Sequence, residues 1–176
     1  MKNNEQIIYL AGGCFWGMEK LMSMIPGVTN TTCGYANADV NNPSYEQICQ
    51  HQALAKETVK VAYDNSKTTL ESILRIFFLI IDPTIKNQQG NDIGPQYQTG
   101  IYYIDDNSYL IAREIYEQEK TKYDAFYVEF KPLENFYDAE NYHQKYLQKN
   151  PDGYCHIPNK KMVEAIKQVI EENKSR

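Results

Sequence analysis

Gly12-Gly13-Cys14-Phe15-Trp16-Gly17 places a thiol directly after a glycine pair, with two large aromatic rings behind it, at what reads as the start of a helix. Glycines let a backbone turn sharply and approach a ligand closely. A helix N-terminus carries about half a positive charge and free N–H groups, which favours thiolate over thiol. The rings offer an apolar wall beside the sulfur. The plain alternative is a small buried cysteine in a strand-to-helix turn, because free cysteine is among the most buried residue types. Three more cysteines follow. Cys33 falls in an apolar, β-branched run and Cys49 in a stretch without clear periodicity; both read as inert. Cys155 follows Asn150-Pro151-Asp152-Gly153, a loop signal that predicts a flexible segment.

Composition bounds what such a thiol could serve. With 176 residues, a single domain over 1–176 is expected, long enough for a real core. The net charge of −5, with lysines and arginines scattered among acids, gives no basic footprint for nucleic acid. No apolar run approaches the about 18 residues that a membrane span needs. The polar start Met1-Lys2-Asn3-Asn4-Glu5-Gln6 lacks an apolar signal core, so a cytoplasmic protein is expected. In a reducing cytosol, catalytic or spare thiols are favoured over two structural bridges.

The elements that must position Cys14 alternate. Ile7–Ala11 predicts a buried strand, and the helix from Cys14 carries Met18, Leu21, Met22 and Ile25 on one face until Pro26-Gly27. Val28–Tyr35 and Thr58–Tyr63 predict strands, the second with Val59, Val61 and Tyr63 on one face. Thr68 and Glu71 have capping-box spacing ahead of a helix whose stripe is Leu70, Ile73, Leu74, Phe77, Phe78 and Ile81, stopped by Asp82-Pro83. A strand over Gly100–Ile104, a helix from Asp105-Asp106 to about Lys122, a strand over Tyr127–Phe130 and a helix near Lys160–Glu172 complete the set. The aperiodic stretches 36–56 and 84–98 are long enough to be functional loops. This order predicts an α+β sandwich with helices on one sheet.

Four motifs together give a more specific reading. Gly-Cys-Phe-Trp-Gly at Gly13–Gly17 resembles the active-site motif of the A-type peptide methionine sulfoxide reductases, and the likeness runs from Tyr9 to Cys155. Asn42-Pro43-Ser44-Tyr45 is similar to that family's Asn-Pro-Thr-Tyr, and Gln89-Gly90-Asn91-Asp92-Ile93-Gly94-Pro95-Gln96-Tyr97 to its Gln-Gly-Asn-Asp segment. Gly153-Tyr154-Cys155, with its flank Phe136–Tyr146, resembles the resolving-cysteine motif. The resemblance implies a ferredoxin-like two-layer sandwich with long loops and an irregular C-terminal segment ending in a helix. It implies reduction of methionine S-sulfoxide, free or in proteins, with no metal or organic cofactor. Cys14 would attack sulfur, Glu57 would protonate the oxygen, and Tyr45 and Tyr97 would hold it. Phe15 and Trp16 would cradle the S-methyl group, and Asp92 would contact the substrate backbone. Cys155 would resolve the sulfenic acid to a disulfide, recycled by a thioredoxin-type reductant. A monomer is expected. On spacing alone Glu57 reads as half of a surface Lys56–Glu57 pair; the resemblance reverses that.

The sequence departs from the family pattern at three places. Asn37-Ala38 stands where a glycine pair is usual, Gln50 to Lys56 where Ser-Gly-Asp-Thr-Gly-His-Ala is usual, and Ile81 where a histidine is usual. Three rival readings use the same residues. One is a Cys14–His143 hydrolase, one a zinc site drawn from Cys33, Cys49, His51, Cys155 and His156, and one a redox switch at Cys14 that does not turn over.

Overall fold

The structure, a computed structural model, describes residues 3–176. Met1 and Lys2, the start of the polar N-terminal stretch, lie outside the described residues. In chain order the elements are β1 (Glu5–Ala11), α1 (Phe15–Ser23), β2 (Val28–Ala36), α2 (Tyr45–Cys49), β3 (Lys56–Asp64) and α3 (Leu70–Ile80). A short hairpin follows, β4 (Gln88–Gln89) and β5 (Asp92–Ile93), then a 3₁₀ turn at Pro95–Tyr97 and β6 (Gly100–Tyr103). The remainder is α4 (Asp106–Lys120), β7 (Glu129–Pro132), β8 (Phe136–Asp138), a 3₁₀ turn at Asn141–His143, α5 (Tyr146–Lys149) and α6 (Asn159–Lys174).

The main sheet runs β7-β6-β1-β3-β2-β8. Its four central strands, β6-β1-β3-β2, are antiparallel throughout and have the order 4-1-3-2 of a ferredoxin-like βαββαβ unit, as the resemblance implied. β7 joins β6 in parallel and β8 closes the far edge against β2. One face of the sheet carries Ile8, Leu10, Cys33, Tyr35, Val59, Val61 and Ile101, all buried in a core shared with α1, α3 and α6. The opposite face buries a smaller cluster of Tyr9, Ala11, Ala36 and Tyr102, with Leu133 and Phe136 over it.

Local details differ from expectation where capping chemistry or sheet pairing decides. Thr69, not Thr68, caps α3, its hydroxyl accepting from Ser72 N at 3.1 Å. The strand expected at Tyr127–Phe130 lies two residues later, because its register is set by pairing with β6, Gly100 opposite Glu129. The stretch 36–56 contains α2, held by a capping box in which the Ser44 side chain accepts from Gln47 N and Gln47 reaches back to Ser44 N. The stretch 84–98 folds as the hairpin and the 3₁₀ turn.

The segment after β8 crosses back over α1. Its Gln144 side chain bonds both the N–H and the C=O of Cys33, each at 2.8 Å, just past the point where β8 leaves β2. Lys145, with a left-handed φ of 55°, donates its N–H to the buried carboxylate of Glu19 on α1 at 2.7 Å. Glu19 also receives the Thr31 hydroxyl at 2.9 Å and the Lys145 ammonium at 3.5 Å, which fixes α1, β2 and the crossing segment to one another.

Candidate active site

Cys14 is the N-cap of α1, reached from β1 through Gly12 and Gly13. The turn requires glycine at Gly13, and at Gly12 a side chain would have to displace the end of Met18. Gly13 has φ +85°, and a β-carbon there would lie 2.7 Å from Gln89 Cβ; one on Gly12 would lie 2.1 Å from Met18 Cε. The thiol is nearly buried. The N–H groups of Trp16 and Gly17 point at the sulfur and favour its thiolate. Burial and the neighbouring Glu57 carboxyl outweigh them and push the thiol well up, so the resting form is the neutral thiol. The helix end is expected to favour a Cys14 thiolate, but the resting form here is the thiol. The helix field is present, but at a buried sulfur facing an acid it is the smaller effect.

Glu57 sits at the start of β3, on the same face as Val59, Val61 and Tyr63, and opposite Tyr35 of β2. This alternation drives its side chain into the core, where it is 2 % exposed. Lys56 points the other way and reaches Glu129 at 4.0 Å, so no surface Lys56–Glu57 pair forms. Phe15 N donates to Glu57 Oε1 at 3.2 Å, and Oε2 is buried with no partner. Burial raises the carboxyl to about 8, against a smaller opposing effect of the Phe15 N–H; Asp92 raises it further. Glu57 is therefore a carboxylic acid at neutral pH, with a free buried oxygen.

Tyr97, at the end of the 3₁₀ turn, lies in the field of Glu57, Asp92 and Cys14, and Tyr45, at the start of α2, in that of Cys49, Glu57 and Tyr97. Burial is the main reason both phenols are pushed up, so both remain neutral donors. Phe15 is fully buried between Tyr35 and His143, with centroids at 5.8 and 5.0 Å. Trp16 lies flat on Tyr146, with centroids 3.7 Å apart, and its Nε1 donates to His143 Nδ1 at 3.0 Å. Asp92, on β5, accepts the Tyr154 hydroxyl at 3.0 Å. The four motifs, distant in sequence, thus converge on one site.

Cys155 lies over the first turn of α1; its Sγ would be 3.2 Å from a β-carbon placed on Gly17. Its stretch has no regular secondary structure but is tied down on both sides. Tyr154 holds Asp92, and His156 Nε2–H donates to Gly12 O at 3.0 Å. The flexible segment expected from Asn150–Gly153 is thus anchored in this state. Cys33 is fully buried beside Glu19, with its thiol pushed far up by burial. Cys49 is exposed at the end of α2.

Sequence reasoning did not single out His143 as the partner of Trp16, Tyr146 as its stacking platform, or Tyr154 and His156 as anchors. The Tyr-rich run Tyr137–Tyr146 was the available signal. His143 Nδ1 accepts the Trp16 indole N–H, so the lone pair that a hydrolase base for Cys14 would need is already taken. Among the described residues, no group of three or more His, Cys, Asp or Glu side chains is placed to hold a metal ion. The departures from the family pattern also find places. Asn37 takes φ +51°, a left-handed conformation that asparagine tolerates best after glycine, and Ile81 is a core residue packed beside Gly12.

Fold and site together define a thiol-bearing α+β oxidoreductase. The model of the peptide methionine sulfoxide reductase family matches residues 6–175. The chain belongs to that family. It is 52 % identical over 154 residues to the peptide methionine sulfoxide reductase MsrA of Lachnoclostridium phytofermentans, covering 87 % of this chain and 93 % of that one. The crystal structure of Mxr1 from Saccharomyces cerevisiae in reduced form superposes with a TM-score of 0.81 at 35 % identity, covering 88 % of this chain and 91 % of that one. Mxr1 in complex with Trx2 matches at a TM-score of 0.58 and 25 % identity, covering 83 % and 87 %.

Proposed function

We propose that this protein reduces the S epimer of methionine sulfoxide, free or in oxidised proteins, as a cytoplasmic, monomeric repair enzyme recycled by a thioredoxin-type reductant. The observation that carries the reading is Glu57. A buried, protonated carboxyl with an unpartnered oxygen, beside a buried thiol, suits the delivery of a proton to an oxygen leaving sulfur. The Glu57 proton moves to the sulfoxide oxygen as the Cys14 sulfur attacks the substrate sulfur, and the Cys14 proton passes to the Glu57 carboxylate. The bond between Cys14 and the substrate sulfur and the substrate sulfur–oxygen bond then break as the hydroxyl passes to Cys14 Sγ, and one bonding pair stays on the substrate sulfur. The sulfide leaves as methionine, and Cys14 is left as sulfenic acid.

Tyr45 and Tyr97 donate to the oxygen while it is bound. Phe15 and Trp16 wall the S-methyl group, Trp16 being held in orientation by His143 and Tyr146. Asp92 takes the substrate backbone. Cys155 attacks the sulfenic sulfur, and a disulfide and water form. The thioredoxin-type partner is supported by the relative that has been captured with Trx2. Among the described residues no helix is long and apolar enough to cross a membrane.

The test is stereochemical. Both epimers of a methionine sulfoxide peptide are supplied with dithiothreitol, and the S epimer alone is expected to disappear. Equal loss of both, or of neither, would end the proposal. The second half of the cycle is read with Cys155→Ser. This variant should release about one methionine per chain and then stall with thioredoxin, whereas dithiothreitol, which reduces a sulfenic acid directly, should restore turnover. Continued turnover with thioredoxin would remove Cys155 from the cycle.

A further inference from the structure

His156 has no part in the steps above, yet it occupies a commanding place. Its ring lies against the Cys14 turn: Nε2 approaches Gly12 O at 3.0 Å and would be 3.1 Å from a β-carbon on Gly13. A carbonyl oxygen only accepts, so Nε2 carries the hydrogen and Nδ1 keeps its lone pair. That Nδ1 is buried and has no partner. It would lie 3.0 Å from a β-carbon on Gly17, the same point from which Cys155 Sγ would be 3.2 Å away. The free lone pair and the second thiol therefore share one notch over the first turn of α1, kept open by the absence of a side chain at Gly17. At rest the Cys155 thiol donates to Ile157 O at 3.2 Å instead.

We propose that His156 is the base for the resolving step, and that its bond to Gly12 also docks Cys155 on the Cys14 turn. The proposal rests on the reading of Cys14 and Cys155 given above. Cys155 turns from Ile157 O and gives its proton to His156 Nδ1, and its sulfur forms a bond to Cys14 Sγ. The Cys14 S–OH bond breaks. The oxygen leaves as hydroxide and takes the proton from the imidazolium, so one water is released and His156 returns neutral. Cys155 is oxidised and the sulfenic sulfur reduced to the disulfide level. Burial keeps the ring neutral by lowering its basicity. Of the charged groups that act on it, Asp92 on β5 raises its basicity and Lys161 on α6 lowers it.

His156→Gln retains an amide donor for Gly12 O but has no base at the Nδ1 position. Rapid quenching with alkylation and mass spectrometry, after one addition of methionine sulfoxide without reductant, follows methionine release and Cys14–Cys155 bridge formation separately. The variant should keep a burst of about one methionine per chain, while bridge formation at pH 7 slows roughly 10²-fold, the low end for losing a general base. Bridge formation should then quicken steadily with pH, whereas in wild type it should be level above pH 6.5 and fall in acid as the ring protonates. An unchanged bridging rate and pH profile would overturn the proposal. So would loss of the burst together with the bridge, which would make His156 a support for the Cys14 turn alone. If the variant does not fold, the wild-type profile decides, and a bridging rate with no fall in acid over the whole range in which the protein stays folded rejects the base. A wild type that gives no burst at all would instead refute the underlying roles of Cys14 and Cys155.

Discussion

Cys14→Ser is expected to reduce no methionine sulfoxide of either epimer while keeping its fold. Serine is nearly isosteric with cysteine, but its hydroxyl is a far poorer nucleophile at neutral pH. The substitution also falls at the N-cap of α1, where Cys14 makes no side-chain capping bond. Serine is a preferred residue at that position, so the melting temperature should hold or rise. Turnover assayed beside thermal unfolding checks both parts. Appreciable reduction by the folded variant would mean that another thiol carries the chemistry.

Glu57→Gln has the next largest expected effect. The amide keeps an oxygen for Phe15 N but cannot give up a proton as an acid does, so the rate should fall by roughly 10²–10⁴-fold. Wild-type activity should decline above a pH of about 8, where Glu57 loses its proton, and the variant should lack that limb. Stability should show the same group. Because the folded pKa is raised from 4.5 to about 8, the contribution of Glu57 is fully present below 4.5 and is lost as pH rises through 8. Wild type should thus lose stability relative to Glu57→Gln across that window, as denaturant titrations at several pH values would read. A near-normal rate in the variant would reduce Glu57 to a packing residue.

Much of this architecture is legible in the residues. The period-2 pattern of Val59, Val61 and Tyr63 marks the core face of β3, but spacing alone leaves Glu57 in a surface pair with Lys56; its burial follows because the strand starts at Lys56, two residues before the expected Thr58, and so carries the alternation back to Glu57. The helices α1, α3 and α6 are visible because their apolar stripes repeat with helical spacing. β8 and α2 are not, since three and five residues are too few to show a period, and what holds them is pairing with β2 and a capping box. The protonation state of Cys14 is not legible either. The helix end that favours thiolate is local and visible in sequence, whereas the burial and the Glu57 contact that oppose it arise only on folding. The anchoring roles of His143, Tyr154 and His156 depend on contacts across more than 60 residues, which no local spacing encodes.

The Gln144 side chain has one more consequence. Where β8 departs, the C=O of Cys33 on β2 still accepts from Ala139 N at 2.9 Å, but its N–H has lost a strand partner, and an open edge N–H is a foothold at which a foreign chain can add itself as a strand. The Gln144 side-chain oxygen takes that N–H, and its nitrogen adds a second bond to the C=O, as a one-residue strand would. A protein proposed to handle damaged, partly unfolded chains meets extended segments constantly. With Gln144 in place, such segments find no open N–H at Cys33 to pair with.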